Sequence, residues 1–152
     1  MTKCFNKYRT LICTFEPLSV KRGLRPNLQL LEEKMSRDTQ LKERWGVLVD
    51  RLSAQFADGD PLELDAIIYL VGIQELGQYH RKYKKDDKLD LMHIAICRLL
   101  EPYGYYEFSH FDEESWPHYT IKEELPPLKA GEQSVLMKEA IVGYFLDKEY
   151  IV

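Results

Sequence analysis

The sequence predicts a mainly α-helical fold: a four- to five-helix, bundle-like domain with one β-hairpin between the third main helix and the C-terminal helix. Three observations predict it. Apolar residues recur at helical spacing over most of the chain beyond residue 40. One stretch, Tyr105–Ile121, changes to aromatic and β-branched composition. Asp58-Gly59-Asp60, Pro102 with Gly104, and Leu125-Pro126-Pro127 interrupt the pattern where turns are needed.

Leu62–Tyr79 is expected to be the central helix. It is almost continuously apolar from Leu64 to Ile73. At about 100° per residue, Leu64, Ile67, Ile68 and Val71 point one way, and Leu62, Tyr69, Ile73 and Leu76 another. Two apolar faces must be covered on both sides. Asp60-Pro61-Leu62-Glu63 reads as its start, with Asp60 as cap and Pro61 at the first helical position. The helix is expected to span residues 61–82. Its basic end, His80–Lys85, suits the negative end of the helix dipole better than it suits nucleic acid.

Before it, Leu28, Leu31 and Met35 mark a short helix, and Ser36, Asp38 and Thr39 are plausible caps for the next one. That helix, near 40–57, carries Leu41, Trp45, Leu48, Leu52 and Phe56 on one stripe. It is expected to pair antiparallel with the central helix. Residues 1–34 are expected to be an N-terminal extension or peripheral arm, with a short strand at Tyr8–Phe15 and Met35 as an alternative start. Residues 35–152 form the helical domain.

A third helix, near 87–101, begins at Asp86 or Asp87. Its inward arc is Leu89, Leu91, Met92, Ala95, Ile96, Leu99 and Leu100. The hairpin at 105–122 turns through Asp112–Ser115 and pairs Tyr106 with Ile121, Phe108 with Tyr119 and Phe111 with Trp116. A last helix near 132–147 turns Met137, Ile141, Val142, Phe145 and Leu146 inward, and Glu132 suits its first turn.

The segments DAIIYLVGIQELGQ, LMHIAICRLLEPYGYYE and LKAGEQSVLMKEAI together resemble an uncharacterised group of small bacterial proteins. The resemblance covers about residues 40–146. That group has no assigned activity, so it implies no role for any residue.

Bulk composition narrows the function classes. The chain has 152 residues, 45% hydrophobic and 30% charged, with a net charge of −4. A pI near 5.6 argues against a dedicated nucleic-acid binder. Cys4, Cys13 and Cys97 make no CxxC pair and no disulfide framework, which fits a reducing cytoplasm. No apolar run is long enough to span a bilayer, and the first residues have no signal-peptide core.

Asp90, His93 and Cys97 lie at i, i+3 and i+7 beside the core arc of the third helix. Carboxylate, imidazole and thiolate are all metal ligands, and Glu75 would supply a fourth from the central helix. The plainer expectation is structural: Asp90 a first-turn cap, His93 a core-edge histidine with one hydrogen bond, Cys97 a small apolar filler, and Glu75 paired with a Lys or Arg. Ser109 and His118, opposite each other on the hairpin, form a nucleophile–base pair only superficially, since no GxSxG elbow or orienting carboxylate accompanies them. No cofactor and no stoichiometric metal are expected.

The hairpin is the densest aromatic cluster. Only one face of it can pack on helices, because strand side chains alternate. Tyr105, Phe111 and Trp116, with Glu113 and Glu114, are expected to form an outer surface that contacts a protein partner or a second copy of the chain. Two other classes compete. One is a metal-dependent enzyme built on Glu75, Asp90 and His93. The other is a winged-helix-like regulator with 87–100 as recognition helix. The acidic wing tip and helix start count against DNA.

Overall fold

The computed structural model describes residues 28–152, with side chains from residue 32 onward. The expected strand at Tyr8–Phe15 lies outside the described residues. The architecture is mainly α-helical, with a two-stranded antiparallel hairpin between the third helix and the C-terminal helix.

Helix α1 spans Leu28–Phe56 and runs unbroken through the expected caps at Ser36, Asp38 and Thr39. The hydroxyl of Thr39 donates to the Met35 carbonyl at 2.8 Å, so it is used inside the helix rather than at its start. Residues 32–40 are exposed on every side. From Leu41 the helix docks: Leu41 and Trp45 are half-buried, and Leu48 and Leu52 are buried. Phe56, expected on the same stripe, is 55% exposed, and no packing accounts for it.

Asp58 and Gly59 take left-handed backbone conformations and turn the chain. The Leu62 amide donates to the hydroxyl of Ser53 at 3.0 Å, and Ser53 is buried. That bond holds residues 60–62 against α1 as a non-helical link. Helix α2 therefore begins later than expected, at Leu64, with no side-chain cap from Glu63. It ends at Leu76 rather than near residue 82. Gly77 adopts the left-handed conformation at φ 71°, and its N–H closes on the Ile73 carbonyl. The basic run His80–Lys84 thus lies in a connecting loop, not on a helix end.

Helix α3 spans Lys85–Leu100. Asp87 sits in its first turn and accepts the Lys84 amide at 3.0 Å, which fixes the start two residues earlier than predicted. A 3-10 turn at Glu101–Tyr103 ends in left-handed Gly104. Strands β1, Tyr106–Phe111, and β2, Pro117–Ile121, follow. Helix α4, Ala130–Asp147, starts with Glu132 accepting the Lys129 amide at 2.9 Å.

α3, not α2, is the element the fold is built around. It packs against α2, α4, the 3-10 turn and both strands. Leu91, Ile94, Ala95, Ile96, Cys97, Leu99 and Leu100 are buried on it, whereas Leu89, expected inward, is 45% exposed. Burying each large side chain contributes about 1.5–3 kcal/mol. α2 crosses α3 at Gly72, where a built Cβ would stand 2.7 Å from the Leu91 carbonyl carbon. The expected antiparallel pairing of α1 with α2 gives way to a different one: α1 lies chiefly along α4. The C-terminal tail closes over α1. Tyr150 donates to Gln55 at 2.8 Å, and Ile151 is buried.

Candidate functional site

The site with most chemistry on the described surface lies where α2, α3, α4 and the hairpin meet. Glu75 stands in the last turn of α2, Arg98 in the last turn of α3, Glu101 in the 3-10 turn and Tyr144 on α4. The Tyr144 hydroxyl donates to Glu75 Oε1 at 2.6 Å. Arg98 Nε lies 3.4 Å from Glu75 Oε2, and Arg98 Nη1 lies 3.3 Å from Glu101 Oε2. Glu101 Oε1 accepts the Phe108 amide at 3.3 Å, which ties the hairpin to the end of α3. The guanidinium also lies 5.9 Å from the Tyr144 ring centre.

Tyr119 faces the same group from β2. Burial, then the charges of Glu75 and Glu101, push its hydroxyl well above the ordinary phenol range. Burial and the bond to Glu75 do the same to Tyr144. Both rings are therefore neutral donors at physiological pH. A cleft of about 270 Å³ opens here, with Glu75, Arg98 and Glu101 on one side and Phe108, Phe111, Pro117 and Tyr119 on the other.

A bulge shapes that aromatic wall. Tyr106 pairs with Ile121 and Phe108 with Tyr119, as predicted. The register then shifts between Phe108 and His110, so His110 faces His118 and Phe111 faces Pro117. The predicted Phe111–Trp116 pair is corrected by one residue. An unbroken strand would put Phe108 and Phe111 on opposite faces. The extra residue, Ser109, brings their rings to 5.0 Å on one side. Phe108 is 39% exposed and Phe111 61%.

The five residues predicted to form the outer surface divide. Phe111, Glu113 and Glu114 are exposed. Tyr105 is half-buried against the core. Trp116 is half-buried too, with the Arg81 guanidinium 5.7 Å from its ring centre. Gln78 donates to the Glu114 carbonyl at 3.4 Å. Trp116 and Glu114 thus tie the hairpin tip to the α2–α3 loop through Arg81 and Gln78.

At the tip, Asp112 Oδ1 accepts the Glu114 and Trp116 amides, each at 2.9 Å, which lets Ser115 take a left-handed backbone. Asp112 Oδ2 pairs with His118 at 3.0 Å. The bond to His118 chiefly, helped by the backbone donors, holds the Asp112 carboxyl below its ordinary value. The rings of His110 and His118 stack at 4.9 Å. Ser109 bonds His110 at 3.0 Å instead of facing His118, so the supposed nucleophile–base pair is not formed.

The four metal candidates are not all brought together. His93 and Cys97 come within 3.6 Å. Glu75 is taken up by Arg98 and Tyr144, and among the described residues no three His, Cys, Asp or Glu side chains converge as a metal-holding group. Burial pushes His93 below its ordinary value and raises the Asp90 carboxyl; each is partly offset by the other's charge.

The sequence reading of Glu75 as ion-paired names the right kind of partner, Arg98. It missed Tyr144, Glu101 and Tyr119 as members of the site. The spacing of Arg98 and Glu101 at i, i+3 was the one local signal for part of it. Compared with protein-family models, with curated proteins and with solved structures, the chain gives no significant match. Among the described residues, no helix is long and apolar enough to cross a membrane.

Proposed function

We propose that this chain is a small cytoplasmic binding or accessory protein that engages a protein partner through its hairpin and has no catalysis of its own. The observation that carries the reading is the pair Phe108–Phe111. Two adjacent rings stand in the open at the mouth of a cleft, held by a bulge that turns both outward. Exposed aromatics in a charged rim are the residue types that anchor interfaces. The contact face moves accordingly: Phe111 and Phe108 are its anchors, Glu113 and Glu114 its rim, and Trp116 supports it from behind.

The partner is a basic chain rather than a second copy. Residues 101–124 carry Glu101, Glu107, Asp112, Glu113, Glu114, Glu123 and Glu124 against one cation, Lys122. Two such faces brought together repel. The winged-helix alternative fares worse, because α3 is covered from Leu91 to Leu100 by α2, α4 and the hairpin, and its open first turns carry Asp86 and Asp87.

The test is capture at native expression level with the native chain and with Phe111→Ser, followed by identification of the bound chains. The proposal expects one chain to be retained by the native protein and lost from a variant of unchanged helicity. A retained chain that ignores Phe111→Ser would place binding elsewhere.

A further inference from the structure

We propose, building on that binding role, that the cleft beside Phe108 and Phe111 receives one lysine or arginine side chain of the partner. Arg98 is a single cation held between two carboxylates, Glu75 and Glu101, so the charged wall keeps one surplus negative charge. Each of the four carboxylate oxygens takes one donor: Tyr144 and Arg98 on Glu75, Phe108 and Arg98 on Glu101. A carboxylate oxygen has two lone pairs, so each has room for a second donor.

The opposite wall is aromatic. Tyr119 lies edge-on to Phe108 with ring centres 5.9 Å apart, and Phe111 closes the rim. Ring faces attract cations, and an aromatic wall opposite carboxylates is the environment an ammonium or guanidinium selects. The volume, about 270 Å³, suits one long side chain rather than a whole small-molecule ligand. An anion is disfavoured, because the one cation present is already flanked by two carboxylates. The acidic residues around the hairpin extend the same preference to the approach path.

The probes are an N-acetylated, C-amidated peptide with a single lysine between leucines and its twin with norleucine in place of lysine. Both are titrated into the full chain and followed by amide shifts of Phe108 and Phe111. The lysine peptide should bind about five- to tenfold tighter than its twin. Glu101→Gln keeps an acceptor for the Phe108 amide and should abolish that preference, while Phe111→Ser should weaken both peptides alike. Equal binding of the two peptides to the native chain, or a lysine preference that survives Glu101→Gln, would overturn the cation pocket. The native-chain comparison stands even if Glu101→Gln unfolds. The two ideas also fail separately: capture that depends on Phe111 with no lysine preference keeps the binding face and removes the pocket.

Discussion

Tyr144 and Glu75 lie 69 residues apart in the chain, and the hydroxyl of one donates to the carboxylate of the other at 2.6 Å. That bond joins α4 to the end of α2 and, through Arg98, to the end of α3. Glu75 is half-buried, and both of its carboxylate oxygens take donors from these two side chains.

Tyr144→Phe tests the bond with the smallest change. The ring stays, and a half-buried carboxylate loses a donor. The variant should be destabilised by about 1.5–3 kcal/mol in urea unfolding, as for a hydrogen bond to a charged group. A change within about 0.5 kcal/mol, the range of ordinary surface substitutions, would mean that water replaces the hydroxyl at no cost.

Gly72 and Leu91 set the approach of α2 to α3. A Cβ at Gly72 meets Leu91 backbone, which cannot swing aside, and lies 3.1 Å from the Leu91 Cβ as well. Gly72→Ala should therefore cost about 1–3 kcal/mol, although alanine is the better helix former. The same substitution at exposed Gly46, where a Cβ meets nothing, should stabilise by about 0.5–1 kcal/mol. If both alanine variants stabilise, the helices are not held this close.

His93 gives the chain an acid-sensitive step. Burial chiefly, and the charge of His118, hold its proton affinity below the ordinary value, while Asp90 pulls the other way. The unfolded chain therefore binds the proton first, and stability rises with pH between the folded and unfolded values. On acidification the loss begins near pH 6.5, the approximate unfolded value, and is complete below the folded one. Asp90, with its raised carboxyl, works in the opposite direction nearer the carboxylate range. His93→Gln should flatten the slope of unfolding free energy below about pH 6.5. An unchanged slope would assign the acid sensitivity to other groups.

The fold class was legible in the sequence because it rests on periodicity. Ile67, Ile68, Val71, Met137, Ile141 and Val142 are buried where their spacing placed them. Boundaries were less legible. Gly77 was a visible stop signal, but the polar run behind it read as a continuing helix. Ser53 delays α2 through a side chain nine residues upstream, a tertiary bond that no local rule supplies. In the hairpin, the first two cross-strand pairs followed from alternation, and the bulge at Ser109 then changed the face of Phe111 relative to Phe108. The candidate site was the least legible part. Its members come from α2, α3, the 3-10 turn, the hairpin and α4, and they meet only once α3 has gathered those elements.

Once the captured chain is purified, the binding face is tested most directly by calorimetric titration of that chain into the native protein and into Phe111→Ser. A central aromatic anchor is worth about 2 kcal/mol or more, so the variant should bind at least about thirtyfold more weakly, with circular dichroism unchanged. Equal affinity for the two proteins would contradict the assignment of the hairpin as the partner-binding face.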